Sequence, residues 1–176
     1  DPGLDETGRP IGNPEARNND PATYAGFVQS PAPYGAHNWH PMAYNPELRL
    51  AYIPAQEIPQ VFAEDSRFTS SPVRWNTGAD FAANTPPVIS PAHIKAARAA
   101  LKGRLIAWDP LTQQARWSVE HPNAWNGGVL STAGGLVFQG RLDGLFVAYN
   151  AATGEKVWYH DVYSGAASGP ATYAVD

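Results

Sequence analysis

One pattern, G-x-x-x-A-[WY]-[DN]-x-x-T-x-x-x-x-W, occurs twice at a fixed spacing. Gly103, Ala107, Trp108, Asp109, Thr112 and Trp117 return 41 residues later as Gly144, Ala148, Tyr149, Asn150, Thr153 and Trp158. A period of this length restricts the chain to architectures in which one supersecondary unit is stacked repeatedly. The unit can be read between Trp125 and Trp158. Runs 129–132, 136–139, 145–150 and 155–158 are rich in β-branched, aromatic and aliphatic residues, and Gly134-Gly135, Asp143-Gly144 and Thr153-Gly154 separate them as turn signals.

Four antiparallel strands in so short a span predict one blade of a β-propeller. The front of the unit also returns 86 residues upstream, where Trp39, Leu50 and Ala51-Tyr52 match Trp125, Leu136 and Val137-Phe138. The two spacings differ by about 45 residues, which predicts an insertion, residues 57–102, between the second and third strands of the earlier blade. The expected organisation is a loop-rich connection over 1–36, a blade over 37–120 carrying the insertion, a second blade over 121–163, and the first strand of a third over 164–176. The fold class is therefore all-β, a partial propeller with one short inserted helix. Two blades and a leading strand do not close a ring, so the chain is expected to be a piece of a larger propeller, or to complete one with another chain.

The helix is predicted from Ser90-Pro91 and the run AHIKAARAALK: an N-cap residue, proline in the first turn, good helix formers, and a terminating Gly103. The proline- and serine-rich stretch before it reads as a loop crossing a rim of the disc, and an excursion of this size usually covers a site or an interface.

Sixteen acidic against 12 basic residues give a net charge of −4, and no basic cluster exists to neutralise phosphates, which sets nucleic acid aside as a partner. The absence of cysteine removes thiol catalysis, disulfides and c-type haem attachment from this chain. No apolar run approaches the roughly 20 residues of a membrane span. Asp1, Asp5 and Glu6 fit no EF-hand spacing and read as solvated loop, His37 and His40 lack a nearby third ligand for zinc and read as hydrogen-bonded rim residues, and His121 before Pro122 reads as a turn residue. No metal ligand and no catalytic residue is assigned. Trp117 and Trp158, at repeated positions, are expected to stack on the next blade and give their indole N–H to a carbonyl, with the small Ala107 and Ala148 allowing close approach.

The A-x-[DN]-x-x-T-x-x-x-x-W element resembles the tryptophan-docking motif of dehydrogenases that depend on pyrroloquinoline quinone (PQQ), which are eight-bladed propellers. AHNWHPMAYNPELRLAYIPAQE, KGRLIAWDP, WNGGVLSTAGGLVFQG and SGAASGPATY together resemble the later blades of periplasmic quinoprotein alcohol dehydrogenases, especially the quinohaemoprotein type. The resemblance implies alcohol oxidation by hydride transfer to the quinone, with Asn38, Trp39 and Trp125 as cofactor-binding residues. It implies that Ca2+, the catalytic base and most cofactor donors are held by residues outside this chain, as is any haem c domain, so the chain alone is expected to be inactive. Expected partners are the remaining blades, a small alcohol and a cytochrome c electron acceptor, and the expected compartment is the periplasm. Two alternatives stand beside it: a non-catalytic propeller scaffold for protein binding, and a quinoprotein acting on sugars or polyols. The Asn38-Trp39 pair and the insertion favour the enzyme, since a scaffold requires neither.

Overall fold

The computed structural model describes residues 3–14, 27–84 and 90–175. Its elements are β1 (Phe27–Gln29), β2 (Ala43–Asn45), β3 (Leu50–Glu57), β4 (Gln60–Phe62), a 3-10 turn (Phe81–Asn84), α1 (Pro91–Ala100), β5 (Lys102–Asp109), β6 (Gln114–His121), β7 (Val129–Ser131), β8 (Leu136–Gly140), β9 (Leu145–Asn150) and β10 (Lys156–Asp161). The chain divides into two compact units, Asp1–Ser30 with Pro59–Ile94, and Pro31–Ile58 with Lys95–Asp176. In the first unit, β1 and β4 form a two-stranded antiparallel ladder. A short strand thus lies within the stretch expected to be loop. α1 begins where the cap signal placed it, with the His93 N–H donating to Ser90 Oγ at 3.2 Å.

The second unit holds two four-stranded antiparallel sheets, ordered β2-β3-β5-β6 and β7-β8-β9-β10. β3 pairs directly with β5 across the excursion 58–101, so the first sheet is a complete blade despite the interruption. Alternation explains how the sheets meet. Every second residue of β3 (Leu50, Tyr52, Pro54, Gln56) is buried, as are Gly103, Leu105 and Ala107 of β5. Of these, Leu50, Tyr52, Leu105 and Ala107 make one hydrophobic core with Val129, Val137, Val147 and Tyr149 of the second sheet and Ala151 just after β9. Pro54 fits within β3 because the β2 ladder ends at Tyr52, so its missing N–H falls on an open edge.

The repeated motif has a physical content that can be followed residue by residue. Its Asp or Asn caps the turn after the third strand: Asp109 Oδ1 accepts from the N–H groups of Leu111 (2.9 Å) and Thr112 (3.2 Å), and Asn150 Oδ1 from those of Ala152 (2.9 Å) and Thr153 (3.1 Å). Ala107 pairs with Trp117 and Ala148 with Trp158, and in both sheets the ladder slips by one residue just before the tryptophan. This bulge turns the indole out of the regular pleat. Trp117 then reaches the second sheet, where its Nε1–H donates to the Ala151 carbonyl at 3.1 Å. The Tyr52 hydroxyl donates to the same carbonyl at 2.9 Å, and the two rings lie 5.7 Å apart. A Cβ on Gly154 would stand 2.7 Å from the Trp117 ring, so the indole lies against bare backbone there. Trp158, at the matching position, is half exposed and contacts Phe146 and His160.

Residues 164–175, expected to lead into a third blade, carry no ladder with any of the described residues. These residues instead run against the second sheet. The Ala166 N–H donates to the Arg141 carbonyl at 3.0 Å, and a Cβ on Gly140 would meet Ala166 at 2.7 Å.

Candidate cofactor site

Two loops lead into the first strands of the two sheets, one carrying Asn38 and Trp39 into β2, the other carrying Trp125 into β7. They are locked together at Pro41. The Val129 N–H donates to the Pro41 carbonyl at 2.9 Å, and a Cβ on Gly128 would lie 2.3 Å from Pro41 Cδ. Only glycine permits that approach.

The first loop is fixed by amides. Buried Gln56 donates Nε2–H to the carbonyls of Tyr34 (3.2 Å) and Gly35 (3.1 Å), and Asn38 Nδ2 donates to the Tyr34 carbonyl at 2.8 Å. Asn38 Oδ1 accepts the Trp39 N–H at 2.8 Å, which spends its oxygen locally and leaves one amide N–H for another partner. Trp39 stands 62% exposed. Its indole stacks on the His40 ring at 4.3 Å and 22°, and His40 in turn meets Trp125 at 4.8 Å and 73°. Tyr34 closes the cluster, edge-on to Trp125 at 5.9 Å. The three residues singled out in the sequence, Asn38, Trp39 and Trp125, are thus brought to one place, with the two indoles joined through His40 and not directly.

The second loop rests on a buried polar chain. Gln139 Nε2–H donates to the Gly127 carbonyl at 2.9 Å, while its Oε1 faces His121 Nε2 at 2.9 Å. Because Oε1 can only accept, His121 carries its proton on Nε2. Burial, aided by the nearby Arg141 cation, pushes the His121 pKa down to about 4. His121 is therefore not a turn residue: it closes β6, is buried, and helps seat the Trp125 loop. Neighbouring Asn126 donates to the Asn123 carbonyl at 2.7 Å, and the Gly127 N–H donates to the Gly140 carbonyl at 2.9 Å.

His37 spends Nδ1–H on the Pro54 carbonyl at 2.8 Å, and Asp5 accepts from Thr7 and Arg9 as a loop cap. Among the described residues, no group of three or more His, Asp or Glu side chains converges to hold a metal, and no helix is long and apolar enough to cross a membrane. The sequence reading missed His40 and Tyr34. Their signal was proximity to Asn38-Trp39, but nothing in the spacing shows that a histidine next to an exposed tryptophan turns inward.

The cluster fits a planar quinone. Trp39 offers a wide aromatic face, Asn38 keeps an amide N–H, and buried His40 has an Nε2 that meets no partner among the described residues. Flat ligands with polar edges need such a combination. It does not fit a calcium site, since carboxylates are what such a site requires.

Residues 15–176 match the family model for the PQQ glucose/ethanol/alcohol dehydrogenase β-propeller domain. The chain is 45% identical to the quinohemoprotein alcohol dehydrogenase of Comamonas testosteroni over 99% of its own length and 24% of that protein's. It is 39% identical to the 1-butanol dehydrogenase (cytochrome c) of Thauera butanivorans, again over 99% of the chain and 24% of the relative. The crystal structure of the Comamonas testosteroni enzyme superposes with a TM-score of 0.79, at 43% identity, over 99% of this chain and 25% of that one. A europium-containing methanol dehydrogenase at 21% identity shares the fold, with a TM-score of 0.65 over 94% of this chain and 27% of that one. The chain therefore spans about a quarter of the length of these relatives. Paired four-stranded blades, a tryptophan docked from one onto the other and this match along most of the sequence place the chain in the PQQ-dependent alcohol dehydrogenase β-propeller family.

Proposed function

We propose that this chain forms part of the PQQ pocket of an alcohol dehydrogenase, with Trp39 as an aromatic face for the quinone, Asn38 as an in-plane donor and Trp125 as a flanking wall. The observation that carries the reading is the exposed Trp39 indole held on His40 at the start of the two first strands. The bound quinone supplies acceptance of a hydride equivalent from the alcohol carbon. The protein groups act by position. Trp39 and Trp125 exclude water from the ring faces, and the remaining Asn38 N–H satisfies an edge oxygen that would otherwise be buried unpaired.

The base that takes the hydroxyl proton and the ligands for Ca2+ lie outside these residues on this reading. A primary or secondary alcohol is the substrate class, a cytochrome c the electron acceptor, and the periplasm the compartment. The supports are the alcohol dehydrogenase names of the relatives and the cytochrome c in one of them. Titrating the apoprotein with PQQ in the presence of Ca2+, following tryptophan fluorescence, tests the reading. Saturable quenching that weakens by about tenfold or more in Trp39→Ala supports it. An unchanged affinity in Trp39→Ala and Trp125→Ala contradicts it.

A further inference from the structure

His40 is absent from the set of contacts expected of the cofactor site, yet it is its most enclosed member, 4% exposed between two indoles. Its ring lies nearly parallel to Trp39 and nearly perpendicular to Trp125, so the angle between the two indoles is set by the shape of what stands between them. The backbone beneath it cannot give way. Pro41, the next residue, would be struck by a Cβ on Gly128 at 2.3 Å or on Gly169 at 2.5 Å, and its carbonyl is held by the Val129 N–H.

We propose that His40 is a positioning residue of the PQQ site, a flat spacer that fixes the planes of Trp39 and Trp125 before the quinone arrives. The proposal rests on the reading of Trp39 as a cofactor face. Trp39 is exposed and carries no hydrogen bond through its indole among the described residues, so stacking on His40 is what orients it. A platform already in its bound orientation spares the ligand the cost of ordering it. Burial, together with the neighbouring His37, holds the His40 pKa below its ordinary value, so the ring stacks as neutral imidazole at neutral pH.

The test compares His40→Phe, which keeps a flat aromatic ring, with His40→Leu, which keeps apolar volume but not flatness. Apoenzyme of the full-length protein that carries this chain is titrated with PQQ in the presence of Ca2+ and read by tryptophan fluorescence. Loss of geometry at two ring pairs weakens PQQ binding in His40→Leu by about tenfold, while His40→Phe stays within about threefold of the parent. Equal affinities in the two variants, whether both retained or both lost, overturn the positioning role. Trp39→Ala separates the two levels of failure: weak binding there with normal binding in His40→Leu removes only the inference, and normal binding in both removes the cofactor face itself.

Discussion

The Ala151 carbonyl accepts from both Tyr52 and Trp117, and that sharing predicts a non-additive pair of mutations. Ala151 is fully buried, so its oxygen needs at least one donor. Tyr52→Phe removes one hydrogen bond while the indole still serves the oxygen, a loss of about 1 kcal/mol. Trp117→Phe removes the other donor and part of the contact with Gly154, about 1–2 kcal/mol. In the double variant the carbonyl is left buried with no partner and bears the full desolvation penalty, typically about 1–3 kcal/mol. The double variant is therefore expected to lose about 1 kcal/mol more than the sum of the singles. Urea denaturation followed by circular dichroism measures all four corners of the cycle. Additivity within about 0.3 kcal/mol would refute the shared-acceptor reasoning.

Three further expectations follow from the same geometry. Gly154→Ala places a Cβ 2.7 Å from the Trp117 ring at a φ of +75°, so it should cost about 1–3 kcal/mol in the same denaturation assay. Gly128→Ala drives a Cβ toward Pro41 at 2.3 Å and should weaken PQQ binding by about tenfold or more, whereas Gly134→Ala, with only Thr132 Oγ1 at 3.8 Å, should leave the fluorescence titration unchanged. His121 has a folded pKa of about 4 against an ordinary 6.5, so the unfolded chain takes up this proton first as pH falls. Its contribution is complete above about pH 6.5 and is lost progressively down to about pH 4, on the order of 3 kcal/mol. His121→Gln, which keeps a donor toward Gln139 without titrating, should flatten that part of the stability profile relative to the parent.

The sheets were legible because a 41-residue repeat and period-2 burial are both written in residue identity, as the ladder Ala107 to Trp117 and its copy Ala148 to Trp158 show. The docking of Trp117 was legible as a role, but its acceptor was not. Ala151 and Tyr52 meet across 99 positions of sequence, and no local pattern marks them. The bulge before each tryptophan was likewise silent, since it depends on pairing and not on composition. At the candidate site, Asn38, Trp39 and Trp125 were singled out through family resemblance and equivalent blade positions. His121 was misread because a following proline suggests a turn, while its inward direction is decided by Gln139 on a different strand. His40 was set aside because it makes a poor zinc pair with His37; its packing between two indoles becomes visible only once the loops are brought together.

The central claim is that the two blades exist in this arrangement to hold an aromatic platform for the quinone. A structure of the PQQ-loaded protein tests it most directly. Quinone density is expected against the Trp39 indole at van der Waals separation, about 3.5–4 Å, with Asn38 within hydrogen-bond reach of its edge. Quinone bound with Trp39 still facing solvent would contradict it.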